Sequence, residues 1–231
     1  MGKILKLFAC CSVFIVIFIL TGCDAFKEDL GIEDKTTQEI RFIENKILTF
    51  LSKYAKGEYE QENEELNWKE IENTIIDLNN VLDTIILDFS EIEISNDDIV
   101  KFRNGVNDLS IASMNQDINL VFEKFNLLYS LLPSYMEKYS ENKTEVNILK
   151  MKSLVVSSFC FSNLYDWENA KTEIENADIK YKEMMDDVDY MREYSYNLNK
   201  VYILIGEMKN AINLEELELV KIKYINFIEK I

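Results

Sequence analysis

Apolar residues recur along this chain at alternating steps of three and four, and almost nothing interrupts them. Trp68, Ile71, Ile75, Leu78, Leu82 and Ile85 form one such run, and Met191, Tyr194, Leu198, Val201, Ile205, Met208 and Ile212 form another. Those steps match the 3.6-residue turn of an α-helix and put every apolar side chain on one stripe. Strand folds need a turn every few residues, yet the 231 residues hold one proline and six glycines. No stretch alternates apolar and polar for long. The pattern predicts an all-α chain, a multi-helix bundle or a set of stacked helical hairpins with about eight helices.

The helix starts and stops can be read in order. Thr36-Thr37-Gln38-Glu39 looks like a capping box, with Ile40, Ile43, Ile47, Leu51 and Tyr54 as the stripe behind it and Gly57 as a C-cap. Glu58 to Glu65, with five glutamates in eight residues, reads as a solvated connector. Asn67 caps the helix that begins at Trp68. Ser95-Asn96-Asp97-Asp98 opens a third, with Ile99, Phe102, Val106 and Leu109 inward. A fourth runs from about Asp117, and Pro133 should kink or end it, because proline lacks an amide hydrogen and clashes with the preceding turn. The fifth is apolar nearly all round at Leu154, Val155, Val156, Phe159, Cys160 and Phe161, which predicts a helix buried on several sides. Asp166-Trp167 starts a sixth with Ala170, Ile174, Ala177, Tyr181 and Met184 inward. Asn213 is expected to cap the eighth, which presents Leu217, Val220, Tyr224, Phe227 and Ile231.

Two stretches look like copies. Trp68 and Trp167 each follow an Asn or Asp cap and lie 99 residues apart; Met114 to Leu120 and Met208 to Leu214 also match, 94 residues apart. Such matches are what an internally duplicated helical unit would leave, although heptad stripes also resemble one another by chance.

The N-terminus is different in kind. Lys3 and Lys6 precede an apolar core from Leu7 to Leu20, and no acid occurs before Asp24. A basic start, a core of 14 residues and a small-residue exit are the parts of an export signal. Spanning a bilayer takes roughly 20 apolar residues and this run falls short, which tells against the rival reading of an uncleaved anchor. Leu20-Thr21-Gly22-Cys23 resembles the lipobox of bacterial lipoproteins. That resemblance implies cleavage after Gly22 and diacylation of the Cys23 thiol, with palmitate among the chains. Two or more acyl chains give stable anchoring where one does not. The implied layout is a signal peptide at 1–22, a flexible tether at 23–35 and a helical domain at 36–231, exported and held at the outer face of the cell membrane. In double-membrane lipoproteins, an aspartate in the place of Asp24 resembles an inner-membrane retention signal.

Charge and residue inventory then narrow the chemistry. The chain carries −17, and loss of Lys3 and Lys6 with the signal leaves −19. A surface this acidic repels phosphate backbones, so no nucleic-acid partner is expected. It suits a solvated domain, or one that meets cationic partners or cations. Histidine is absent, which removes the usual general base, metal ligand and activator of Ser or Cys nucleophiles together. Cys10 and Cys11 leave with the signal and lipid takes Cys23, so Cys160 stands alone and reads as an inert buried thiol. Asp186-Asp187-Val188-Asp189 clusters carboxylates but lacks the further ligands and glycine of an EF-hand, so it reads as an acidic helix start. Trp68 and Trp167 read as core anchors rather than groove walls. No catalytic residue, metal ligand or cofactor is expected.

Tyr165-Asp166-Trp167 with Ala170 and Ala177 is similar to the turn and second helix of a tetratricopeptide-type hairpin, over one hairpin and without a 34-residue period. Trp68, the helix from Ile99 to Leu109, Asn126-Leu127-Leu128-Tyr129 and Trp167 together resemble helical lipoproteins of clostridial-type bacteria, a likeness that carries no functional residues across. The expected function is that of a non-enzymatic, lipid-anchored interaction module for a protein or peptide partner. An extracytoplasmic binding protein for a small ligand or cation is the alternative, and a carboxylate-based hydrolase comes third.

Overall fold

A computed structural model describes residues 37–60, 66–91, 96–140, 142–186 and 188–230, and their side chains except in 81–96, 98 and 187–198. The lipobox, the cleavage site before Cys23 and the 23–35 tether lie outside the described residues. Eight helices are described: α1 (37–55), α2 (Trp68–Glu91), α3 (Asn96–Met114), α4 (Ile118–Tyr139), α5 (Lys143–Asn163), α6 (Trp167–Met185), α7 (Val188–Asn213) and α8 (Leu217–Ile228). Among the described residues there is no strand beyond a single Glu60–Leu66 bridge. None of the described helices is long and apolar enough to cross a membrane.

The helices form four hairpins built to one plan. The second helix of each begins at Trp68, Ile118, Trp167 and Leu217, steps of 50, 49 and 50 residues. The first helix of each ends on a residue in the left-handed region, Gly57, Gln116, Tyr165 or Glu215, with φ of 72°, 56°, 57° and 58°. The hydrogen bonds repeat as well. In the second hairpin the Asp117 amide donates to the Ala112 carbonyl and the Gln116 amide to that of Ser113; in the third, Asp166 donates to Phe161 and Tyr165 to Ser162. Glu58 to Lys53 with Gly57 to Tyr54, and Glu216 to Ala211 with Glu215 to Ile212, complete the set. These are Schellman closures, which satisfy carbonyls that a helix end would leave unpaired. In three hairpins the next helix is capped, by Asn67 after the connector and by Asp117 and Asp166 directly after the turn, and each side chain accepts from the amide three residues on.

Burial follows the same register. Four residues past the cap position stand Ile71, Val121, Ala170 and Val220, and eight past it Ile75, Phe125, Ile174 and Tyr224, all buried. Seven residues before the left-handed turn stand Phe50, Leu109, Ser158 and Met208, again all buried. Each hairpin has an apolar face too narrow to stand alone and buries it on its neighbours, the logic of a repeat array. Aromatic rings join neighbouring hairpins, and an ion pair brings the first hairpin against the fourth. Phe50 of α1 stacks on Phe125 of α4 (4.3 Å between centroids), and Tyr54 meets Phe122 edge-on. Phe159 of α5 lies on Tyr224 of α8, and Lys56 after α1 pairs with Glu229 after α8 at 3.0 Å. α5, expected at the centre, packs against α4, α6, α7 and α8 and has no exposed residue from Thr144 to Asn163.

Several expectations need correction. Of the two outcomes expected at Pro133, a kink or an end, the end does not occur: α4 continues to Tyr139; Tyr135 and Met136 are buried beyond it, and Tyr135 meets Phe102 of α3 edge-on, so packing holds the last turns. Asn213 belongs to α7, and Glu216 stands at the N-cap of α8 without a side-chain capping bond. The Glu58–Glu65 connector is not wholly solvated, because Tyr59 is buried against Phe50 and its carbonyl accepts from the Asn67 amide. Trp68 and Trp167 hold equivalent stations, but two repeats apart. Met114 and Met208 do not, since they stand two and seven residues before their left-handed turns. The 94-residue match is therefore out of register with the fold. Thr36 and Ile231 fall outside the described residues.

Candidate functional site

Two places bring chemically distinct side chains together. The first is a cleft of about 210 Å³ between α1, α4 and α5, lined by Arg41, Glu44, Asn45, Met136, Glu145, Ile148, Leu149 and Lys152. Glu44 is buried in its floor, where its Oε1 accepts from Tyr129 at 3.1 Å and from Lys152 Nζ at 3.2 Å. At the mouth, Arg41 holds Glu145 Oε1 through Nε at 2.6 Å and Nη2 at 2.5 Å. Burial, with Glu44 beside it, pushes the Tyr129 hydroxyl far above the usual phenol range, so it stays a donor. Both acids are matched by cations, and the arrangement ties the start of α1 to α4 and α5. Sequence reading passed over Glu44, although it falls four residues after Ile40 and three before Ile47, inside the apolar stripe. A carboxylate in such a stripe signals a buried ion pair.

The second place is the end of the bundle where the left-handed turns lie. Tyr165 is 69% exposed there and sets its ring edge-on to Trp167, 6.3 Å away. Trp167 is half-buried at the first position of α6, packed on the core but open on its outer side. Lys221, Glu60, Tyr165 and Glu218 all act electrostatically on the Tyr54 hydroxyl, so residues of hairpins one, three and four gather here; burial raises its pKa and Lys221 opposes that. Lys221 Nζ sits 5.5 Å over the Tyr54 ring and 2.7 Å from Glu218 Oε1. Lys171 of α6 pairs with Glu215 of the next turn at 2.6 Å. Among the described residues no lysine or arginine pairs with Glu168 or Glu216.

The other residues singled out in the sequence are dispersed. Cys160 is free and buried, and burial pushes its thiol well up, so it holds its proton. Asp186 caps the end of α6, while Asp187 and the side chains of Val188 and Asp189 are outside the described residues. Trp68 begins α2, half-buried like Trp167. Cys23 and Gly22 lie outside the described residues. No protein-family model, no curated protein and no solved structure matches the chain.

Proposed function

We propose that the chain is an exported lipoprotein, cleaved after Gly22 and held at the outer face of the cell membrane by acyl chains on Cys23. Its helical hairpins then act as a non-enzymatic docking module for a protein or peptide. The observation that carries the reading is Leu20-Thr21-Gly22-Cys23 standing directly behind a basic start and a 14-residue apolar core. The array supports the second half of it. Hairpins that contact mainly their neighbours make a rigid support on which side chains recur at fixed intervals, and such supports suit binding along a surface. A free acidic surface of −19 favours partners that bring positive charge.

A second reading keeps the anchor and makes the domain a receptor for a small zwitterion. It is favoured by the Arg41–Glu44–Glu145–Lys152 cleft, which offers both signs of charge beside the apolar Met136, Ile148 and Leu149. Metabolic labelling with a fatty acid tests the anchor: label should enter the full chain and vanish with Cys23→Ser. A thermal scan of the acylated chain against a panel of free amino acids separates the two readings. A shift of several degrees that Lys152→Met abolishes would favour the receptor, and a flat panel favours docking.

A further inference from the structure

We infer that the turn end of the third and fourth hairpins is a docking surface for a basic, lysine- or arginine-rich peptide segment, held by Tyr165, Trp167, Glu168 and Glu216. The inference rests on the docking reading above and names where the partner lands and what it carries.

Three observations converge on it. Tyr165 occupies the left-handed station that Gly57 holds in the first hairpin. An aromatic side chain there is costlier than glycine, and the turn closes equally well without it. Its ring nonetheless projects into solvent, 69% exposed, braced edge-on by Trp167. Second, the surrounding carboxylates outnumber the cations. Lys171 and Lys221 are already engaged by Glu215 and Glu218, whereas Glu168 and Glu216 have no cationic partner among the described residues. The Lys171–Glu215 pair also joins the two turns, so these acids belong to one surface. Third, the fold uses the same recognition internally. Lys221 lies between the Tyr54 ring at 5.5 Å and the Glu218 carboxylate at 2.7 Å. An ammonium over an aromatic face beside a carboxylate is favourable through the ring quadrupole and the Coulomb attraction together. A partner's lysine or arginine would repeat that geometry against Tyr165 and Trp167, with Glu168 and Glu216 as the counter-charges. Charge complementarity with a domain at −19 points the same way.

The test uses the full acylated chain in non-ionic detergent micelles and a fluorescein-labelled decalysine, read by anisotropy, with decaglutamate as the opposite-charge probe. Decalysine should bind and decaglutamate should not. Tyr165→Gly suits the left-handed turn and leaves the fold intact, and it should weaken decalysine about two- to five-fold. Glu168→Gln with Glu216→Gln should weaken it further and reduce its salt dependence. The charge-matched pair Glu137→Gln with Glu183→Gln removes two exposed acids at the opposite helix ends and should change binding little. Circular dichroism of each variant confirms that the helices persist. Unchanged affinity in Tyr165→Gly, equal losses in the two double variants, or absence of decalysine binding would each overturn the inference. None of those results touches the acylation of Cys23 or a partner that docks elsewhere on the array, so failure here is distinguishable from failure of the docking reading.

Discussion

Phe159 lies almost flat on Tyr224, with ring centroids 3.9 Å apart and planes 9° from parallel, yet among the described residues the Tyr224 hydroxyl has no hydrogen-bond partner. The stack joins α5 to α8 and so ties the third hairpin to the fourth, while the hydroxyl is fully buried beside the Cys160 thiol. A buried donor left unmade costs about 1–3 kcal/mol. Tyr224→Phe keeps the stack and removes that cost, so it should raise stability by about 1 kcal/mol. Tyr129→Phe should do the reverse, by about 1.5–3 kcal/mol, because the Tyr129 hydroxyl donates to the buried Glu44 carboxylate. Urea unfolding followed by circular dichroism distinguishes the two, and equal effects of the same sign would contradict the assignment.

The same buried groups set an alkaline limit. Burial raises the pKa of Cys160, Tyr129 and Tyr224 in the folded state. Below the unfolded-state values, about 8.5 for a thiol and about 10 for a phenol, both states hold these protons and the groups add no pH dependence. Above those values the unfolded chain releases protons that the folded chain retains, so stability falls as pH rises. The loss should approach about 1.4 kcal/mol per pH unit for each such group. Melting temperature measured from pH 8 to 11 should decline, with a shallower slope above pH 10 in Tyr224→Phe.

Two ion pairs at one cleft should differ in weight. Lys152 and Glu44 have side chains only 16% and 11% exposed, whereas Arg41 is 54% exposed. Lys152→Met leaves Glu44 with Tyr129 alone in a poorly hydrated site and should cost up to about 3 kcal/mol. Arg41→Ala should cost about 0–1 kcal/mol, since water replaces the lost partner. Comparable losses in chemical denaturation would show that the inner pair is better hydrated than its burial implies.

Glycine positions give a test of packing without charge. A Cβ on Gly206 in α7 would meet nothing within 4 Å, so Gly206→Ala should stabilise by about 0.5–1 kcal/mol through the unfolded chain. A Cβ on Gly105 in α3 would lie 2.8 Å from Leu128 Cδ2, and Leu128 is fully buried. Gly105→Ala should therefore lower stability by about 1 kcal/mol or more as the α3–α4 contact spreads. Thermal melts of the two variants should move in opposite directions.

How much of this was legible depended on which signal each feature leaves. The all-α class and the inward face of α6 follow from stripes; Ala170, Ile174, Ala177, Tyr181 and Met184 are all buried as their spacing requires. The caps Asn67, Asp117 and Asp166 were equally plain, because a short polar side chain ahead of an apolar run has one favoured use. The repeat of 49–50 residues was not. Its stations hold Ile, Phe, Ile and Tyr at one level and Phe, Leu, Ser and Met at another, so burial is kept while side-chain identity and size vary. The left-handed turn hides for a related reason: three of its four residues, Gln116, Tyr165 and Glu215, are not glycine. Trp68 and Trp167, Ile75 and Ile174, and Val121 and Val220 do recur in kind, and each pair samples every second unit. Tyr59 was missed because its neighbours set its burial, not the pattern of its own segment, whereas Glu44 stands in the α1 stripe and its register marks it.

The central claim is that Cys23 becomes the first residue of a lipid-anchored docking domain, and intact-mass spectrometry of the chain purified from its membrane tests it most directly. The predicted result is a protein that begins at Cys23, heavier than residues 23–231 by a diacylglyceryl group with or without a third acyl chain. A mass that retains Met1, or a first residue other than Cys23 without lipid, would contradict it.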